Sequence, residues 1–475
     1  MNIDAADLFC QIFDQFETER LDPHDVDEWM TNPQVMDISS FTEGQVLDTG
    51  TLDADEVWST IENAEDVDQR RFAYLQGIDN ALLHAHPHTA SHDSAGLTAI
   101  ASRYARTGKF STDAVAGALL PRYAFPAEDD LLTVERLADA MTSVVRVSPA
   151  EWAQTDHLVI AGRSDFHRLH RERGVVFGCV PFLEDVNELE WELREAGDGE
   201  LFRSRIVSGP DIRARVASVL ASLDESGAMV GVIPEMCLSD QLLEWWQQAL
   251  AEAPPSRDSN LRWIFVGTGP IGAQDPPTNT GLLLDRLTGD VLMAQNKLFP
   301  FHLGREQIAN WGLKDLLGEN GTREDITQGE TVTVAESALG RLCVLICEDL
   351  ARTMDLGPRL RDHGLSLAVC PVFSDIIQLH HWEHNKAKDY ADQVGSQVLV
   401  ANSRVIGRNR GGGTFGTALA HSPHETELGT TSSCEEVVLF RISDEAAIRL
   451  TDTPDIDDYD QSRVCGSSSR ARPAD

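Results

Sequence analysis

Residues 331–352, TVTVAESALGRLCVLICEDLAR, decide how the rest of the chain is read. Val332, Val334 and their neighbours alternate in strand fashion, Gly340 turns the chain back, and Leu342 to Cys347 is an apolar run. The stretch predicts a hairpin whose second strand ends on a cysteine followed at once by two acids. Negative charge beside a thiol raises its pKa, so Glu348 and Asp349 hinder a reactive cysteine unless a cation stands close by. The cation has to come from elsewhere in the chain.

Working outward from that hairpin, residues 173 to 445 alternate short Val/Ile-rich runs with helical segments. GVVFGCV (174–180), AMVGVIPE (228–235), RWIFVGTG (262–269), LSLAVCPV (365–372) and QVLVANSRV (397–405) read as strands. TGLLLDRLTGDVLMAQNK (280–297) reads as a hairpin turning at Thr288–Gly289–Asp290. PDIRARVASVLASLDESG (210–227) reads as a helix stopped by Gly227, and a second helix is expected over 382–394. This pattern predicts a layered α/β or α+β domain with a mixed sheet. Residues 1–165 read as mostly helical, with a cap at Asp53 and helical spacing in LTVERLADAMTSVVRV (132–147). The tail from 452 to 475 is polar and expected to be disordered.

Composition excludes several classes. The 475 residues hold 39 basic and 77 acidic side chains, a net charge of −38. That charge argues against nucleic-acid and anionic-membrane partners. No apolar run reaches the length of a membrane span, and the acidic N-terminus does not resemble a secretory signal. The eight cysteines form no CxxC pair, so a reducing, cytoplasmic setting is expected. Of the basic residues only five are lysines (109, 297, 314, 386 and 388). His84, His86, His88 and His92 crowd one short segment, and the Pro and Ser/Thr among them predict a solvated loop rather than a metal site. His380 and His384 share a helical face, but no further ligand follows, so a structural helix start is expected.

Three chemically distinct residues close apolar strands: Glu235 after MVGVIP, Lys297 after VLMAQN and Cys347 after LCVLI. Strand ends are where α/β sheets gather their chemistry. Lys297 is the cation Cys347 calls for, and it is expected to lower that thiol's pKa. Glu235, behind a proline in an apolar strand, is expected to be partly desolvated and suited to carrying a proton. Cys343 is expected to be core.

In this order, VIPE, GLLLDRLTGDVLMAQNKLFPF, GRLCVLICEDLAR, GLSLAVCPVFS and HWEHNKAKDYADQVGSQVLVANS resemble the nitrilase superfamily, the carbon–nitrogen hydrolases. The later GTFGTALAHSP fits the same pattern, and the resemblance spans about 173–450. It implies a four-layer α-β-β-α sandwich preceded by the helical N-terminal region. It also implies Cys347 as nucleophile, Glu235 as general base and Lys297 as oxyanion stabiliser, helped by the Glu348 backbone N–H. A second glutamate after the lysine assists in many members, and Glu306 is assigned to it. Asp349 is expected in an ion pair or a helix cap. A small-molecule amide or nitrile substrate is implied, with amide hydrolysis first, no metal or organic cofactor, and a homodimer or larger homo-oligomer. The long segments after the first strand and after Lys297, and residues 1–165, have no counterpart in the simple members. Two other readings are an inactive scaffold of this fold, and an effector domain controlled by a partner-binding N-terminal module.

The charge keeps the chain soluble and also suits a high-salt setting. If salt adaptation is the cause, repulsion goes unscreened as salt falls. The melting temperature should then rise from low to molar potassium chloride, and a flat or falling midpoint excludes it.

Overall fold

The computed structural model describes residues 1–16, 23–87, 94–123, 137–160, 174–196, 199–375, 377, 381–409, 417–423, 437–442 and 447–450. His88, His92, His380, Cys434, Cys465 and the tail from 452 lie outside them. Two sheets face one another. The first runs β12 (Val291–Asn296), β11 (Thr278–Asp285), β10 (Trp263–Ile271), β9 (Val230–Val232), β6 (Val175–Cys179), β20 (Val438–Ile442) and β21 (Ala447–Leu450). β6, β9 and β10 are parallel, and the hairpin strands at either side are antiparallel. The second runs β19 (Ala418–His421), β18 (Gln397–Asn402), β17 (Leu367–Val372), β16 (Gly340–Val344), β15 (Val332–Ser337) and β5 (Thr155–Val159).

Phe177, Val230 and Val232 of the first sheet pack against Val334, Leu342 and Val369 of the second in one buried core. The strands are nearly all apolar because both faces of each sheet are covered. Helices Pro210–Glu225 and Asp240–Glu252 cover the outer face of the first sheet through Leu220, Leu223 and Trp246. Helices Thr353–Asp362 and Trp382–Val394 cover the second through Leu360, Tyr390 and Ala391. The result is a helix–sheet–sheet–helix sandwich, the layered arrangement that the pattern predicts and the four-layer form that the resemblance implies. Cys343 is fully buried within it.

The N-terminal region has its own core around Phe9, Phe72, Leu75 and Ile78, built by six helices among the described residues between Ala5 and Thr107. Asp53 caps the helix Ala54–Glu62, accepting the N–H groups of Asp55 and Glu56. Two features depart from the helical reading. SVVRV ends in β4 (Val144–Val147), paired with β3 (Ala118–Pro121), because its valine run suits a ladder better than a helix. β5, inside the stretch read as the N-terminal region, runs parallel to β15 and closes that edge of the second sheet. His86 is buried, with Nε2 2.9 Å from the Arg122 carbonyl, and so is not in a solvated loop. No cluster of three metal-ligating side chains occurs among the described residues.

A buried polar network joins the two regions. Glu336 and Arg341 face each other across the β15–β16 hairpin and form an ion pair. Tyr104 donates to Glu336 Oε2 at 2.8 Å, and Arg341 Nη2 donates to the Pro121 carbonyl at 3.1 Å. The Arg341 guanidinium also lies 5.3 Å from the Tyr123 ring centroid. Beside it, Trp152 stacks on His157 and His157 on His363, with ring centroids 3.4 and 5.2 Å apart. Burial pushes His157 down to about 3 and His363 to about 4 from the ordinary 6.5. The unfolded chain therefore takes up protons below about pH 6.5 that the folded chain refuses, and stability drains away as pH falls towards those values. His157→Phe keeps the stack and removes one titration. Its melting temperature should fall less between about pH 7 and about pH 5 than that of the unaltered chain. An unchanged difference would mean that His157 does not couple to folding.

Candidate active site

Glu235 leaves β9 at a corner that β10 must approach closely. Gly267 makes this possible at φ +84°, since a Cβ there would stand 2.5 Å from the Pro234 carbonyl oxygen. The register of β10 shifts between Phe265 and Thr268, and the Thr268 N–H donates to that carbonyl at 3.3 Å. The next residue, Met236, is held at φ +63°. Lys297 follows β12, with its N–H 2.8 Å from the Asn279 carbonyl of β11 and its own carbonyl bonded by the Gly329 N–H. Cys347 sits three residues beyond β16 at φ +50° and ψ −98°. For a residue with a side chain this is a costly conformation, of the kind that collects at functional positions. The Cys347 N–H donates to the Pro371 carbonyl at the end of β17, 3.0 Å away.

The three side chains meet, each no more than 1% exposed. Lys297 Nζ donates to Glu235 Oε1 at 2.8 Å. Glu235 in turn faces the Cys347 thiol, and the two interact directly. The fourth member is Glu324, not Glu306. Lys297 Nζ donates to Glu324 Oε2 at 2.7 Å, and Asn279 Nδ2 bridges Glu235 and Glu324 at 3.0 and 3.1 Å. Glu306 is exposed in the first turn of the helix Arg305–Asn310. Glu324 ends β14 (Thr322–Glu324), between β13 (His302–Leu303) and β8 (Gly199–Ile206), whose hairpin partner is β7 (Leu189–Ala196). The acids 306, 315, 319, 324, 325 and 330 all follow Lys297, and only the burial of alternate residues in a short strand singles out 324. Asp349 makes neither an ion pair nor a helix cap among the described residues. Its Oδ1 accepts the N–H groups of Leu298 and Phe299 at 3.0 Å each, and its Oδ2 accepts the Ile346 N–H at 3.1 Å. It thereby ties the segment behind the lysine to the segment before the cysteine. The Glu348 carboxylate pairs with Arg352 at 2.9 Å, and its backbone N–H makes no hydrogen bond among the described residues.

The electrostatics correct one expectation. Burial alone would lower the Lys297 pKa, but Glu235 and Glu324 hold it well above the usual lysine range. Burial, opposed by Lys297, raises Glu235 above the ordinary carboxylate value. Burial and the facing Glu235 push Cys347 well up, and Lys297 offsets this only in part. One ammonium serves two carboxylates here, so the thiol keeps its proton at rest and rests against the base that can take it. Burial likewise raises Asp349, to about 7. A cavity of about 20 Å³, lined by Met236, Asn279, Glu324 and Arg203 among others, lies beside the centre. Arg203 and Ser204 reach it from the β7–β8 hairpin, and Ser204 Oγ is 2.9 Å from Met236 Sδ.

Fold and site together define an α-β-β-α sandwich with a buried Glu–Lys–Cys centre. No family model matches the chain. Over 151 residues it is 30% identical to a deaminated glutathione amidase of Yersinia enterocolitica, a match covering 31% of this chain and 48% of that protein. The chain thus spans about half the length of that curated relative. Solved structures similar to it include Nit3 of Saccharomyces cerevisiae, a nitrilase superfamily member (12% identity, 58% of this chain and 90% of that one, TM-score 0.37). An amidase from Nesterenkonia sp. (15%, 57% and 92%, 0.37) and the NitFhit protein of C. elegans (17%, 58% and 61%, 0.39) are similar too.

Removing the cation leaves two buried carboxylates facing each other. Lys297→Met should lower stability by about 3–5 kcal/mol in urea unfolding. Adding Glu324→Gln to it should restore part of the loss. A Lys297→Met protein as stable as the original would mean that the pair is not held ionised.

Proposed function

We propose that this protein hydrolyses a non-peptide carbon–nitrogen bond, an amide first of all, through an acyl-enzyme on Cys347. The observation that carries the reading is the buried contact set in which Lys297 lies between Glu235 and Glu324 while the Cys347 thiol rests on Glu235. The stretch shared with a deaminated glutathione amidase supports an amide substrate.

The steps follow from the geometry. Glu235 takes the thiol proton as sulfur attacks the carbonyl carbon. The electron pair of the C=O bond moves onto oxygen. An ammonium has three N–H donors, and two of those on Lys297 are used by the carboxylates, leaving one for that oxygen. The Glu348 backbone N–H is the second donor. When the tetrahedral species collapses, Glu235 passes its proton to the departing nitrogen and a thioester remains. Water then gives a proton to Glu235 and its oxygen to the acyl carbon, and the carbon–sulfur bond breaks with return of the proton to sulfur. Glu235's raised pKa suits both directions of transfer. Glu324 fixes Lys297 and leaves the proton work to Glu235. The β7–β8 hairpin borders the centre and is the place where substrate choice is set.

Ammonia release from a panel of aliphatic amides, ω-amides, N-carbamoyl compounds, nitriles and glutamine tests the reading. Cys347→Ala should stay folded and lose all turnover, and Glu235→Gln should stall both halves of the reaction. Lys297→Arg should lose about a hundredfold or more in kcat, the scale of one oxyanion donor. Glu306→Gln should match the unaltered protein. Turnover surviving in a folded Cys347→Ala protein overturns the proposal.

A further inference from the structure

One buried acid plays no part in those steps. Glu383, in the first turn of the helix Trp382–Val394, has no exposed surface. Its Oε1 accepts a hydrogen bond from Ser374 Oγ, while its Oε2 is buried without a partner among the described residues. Among those residues no cation pairs with it, and burial raises it to about 7. Ser374 is also the acceptor for Trp382 Nε1–H at 3.2 Å, so Trp382, Ser374 and Glu383 form a chain of donors running one way into the carboxylate. An acid with one oxygen left open at full burial is a costly choice, and such choices gather at working sites.

The chain ends at the nucleophile. Ser374 lies three residues after Pro371, whose carbonyl accepts the Cys347 N–H at 3.0 Å, and the Phe373 backbone N–H between them favours the Cys347 thiolate. Asn402 brackets this turn from β18, its Oδ1 accepting the Ser374 N–H at 3.0 Å and its Nδ2 donating to the Ser374 carbonyl at 3.2 Å. Asn402 sets the peptide plane, whereas Glu383 fixes the side-chain rotor and ties the turn to the helix behind it.

We propose that Glu383 is a positioning residue: through Ser374 it holds the turn from Pro371 to Ser374 against the Cys347 segment and so steadies the sulfur as it gains negative charge. The inference rests on Cys347 being the nucleophile. Without Glu383 the turn keeps its backbone bonds to Asn402 but loses its tie to the helix, the Cys347 segment is held less firmly, and the thiol becomes harder to ionise.

The test reads the thiol directly and needs no knowledge of the substrate. The full chain is treated with iodoacetamide across a pH series, and carbamidomethylation of the Cys347 peptide is followed by mass. Glu383→Ala should label about tenfold more slowly at neutral pH, the scale of a displaced contact, with the inflection of rate against pH moved upward. Glu383→Gln keeps an oxygen for Ser374 and should recover most of that rate. Ser374→Ala cuts the same chain with little loss of volume and should reproduce Glu383→Ala, which covers the case in which the latter fails to fold. Equal rates and inflections in folded Ser374→Ala and the unaltered protein overturn the inference alone. An unaltered protein in which Cys347 does not label overturns the nucleophile reading and this inference with it.

Discussion

The charge balance around Lys297 is the constraint on which the rest depends. A fully buried ammonium is tolerable only with buried anions against it, and Glu235 and Glu324 are 2.8 and 2.7 Å away. The two carboxylates come from opposite parts of the chain, one after a central strand and one in a small accessory strand. Neither can be brought to the lysine unless the first sheet, its β11–β12 hairpin and the β14 segment are all in place. A buried centre of this kind demands a complete fold around it. Asn279 shows how tightly the set is drawn, because one amide group donates to both acids.

The same balance explains the state of the cysteine. With one cation shared between two anions, nothing is left over to hold a thiolate at rest. Reactivity then lies in a relay, in which the proton moves to a carboxylate whose burial has already raised its affinity for one. The strained backbone at Cys347 serves this arrangement by turning the sulfur out of the strand towards Glu235. Asp349 completes the frame from behind with three backbone N–H contacts that bind the lysine and cysteine segments together.

The N-terminal residues are part of this frame. β5 pairs with β15, and β15 turns directly into β16, the strand that delivers Cys347. Tyr104 and the Pro121 carbonyl reach the Glu336–Arg341 pair at the turn of that hairpin. An unpaired β15 would present an open sheet edge and leave buried charges half satisfied. A strand and a polar network thus tie the region to the hairpin that bears the nucleophile.

By itself the sequence determined most strands of the two facing sheets and three of the four residues brought together at the centre. Short continuous apolar runs mark most of the strands, Gly289 and Gly340 mark the hairpins, and Glu235, Lys297 and Cys347 each announce themselves by ending an apolar run on a reactive group. These are local signals, carried by spacing along the chain. Tertiary structure decided what local signals cannot carry. Glu324 is one acid among the six between Lys297 and β15 and is picked out only by its place in β14, paired with β8. The valines of SVVRV became a strand because a partner strand was present. The resting protonation of Cys347 could not be read from Lys297 alone, because it depends on how many anions the folded chain packs around one cation, and that number exists only in three dimensions.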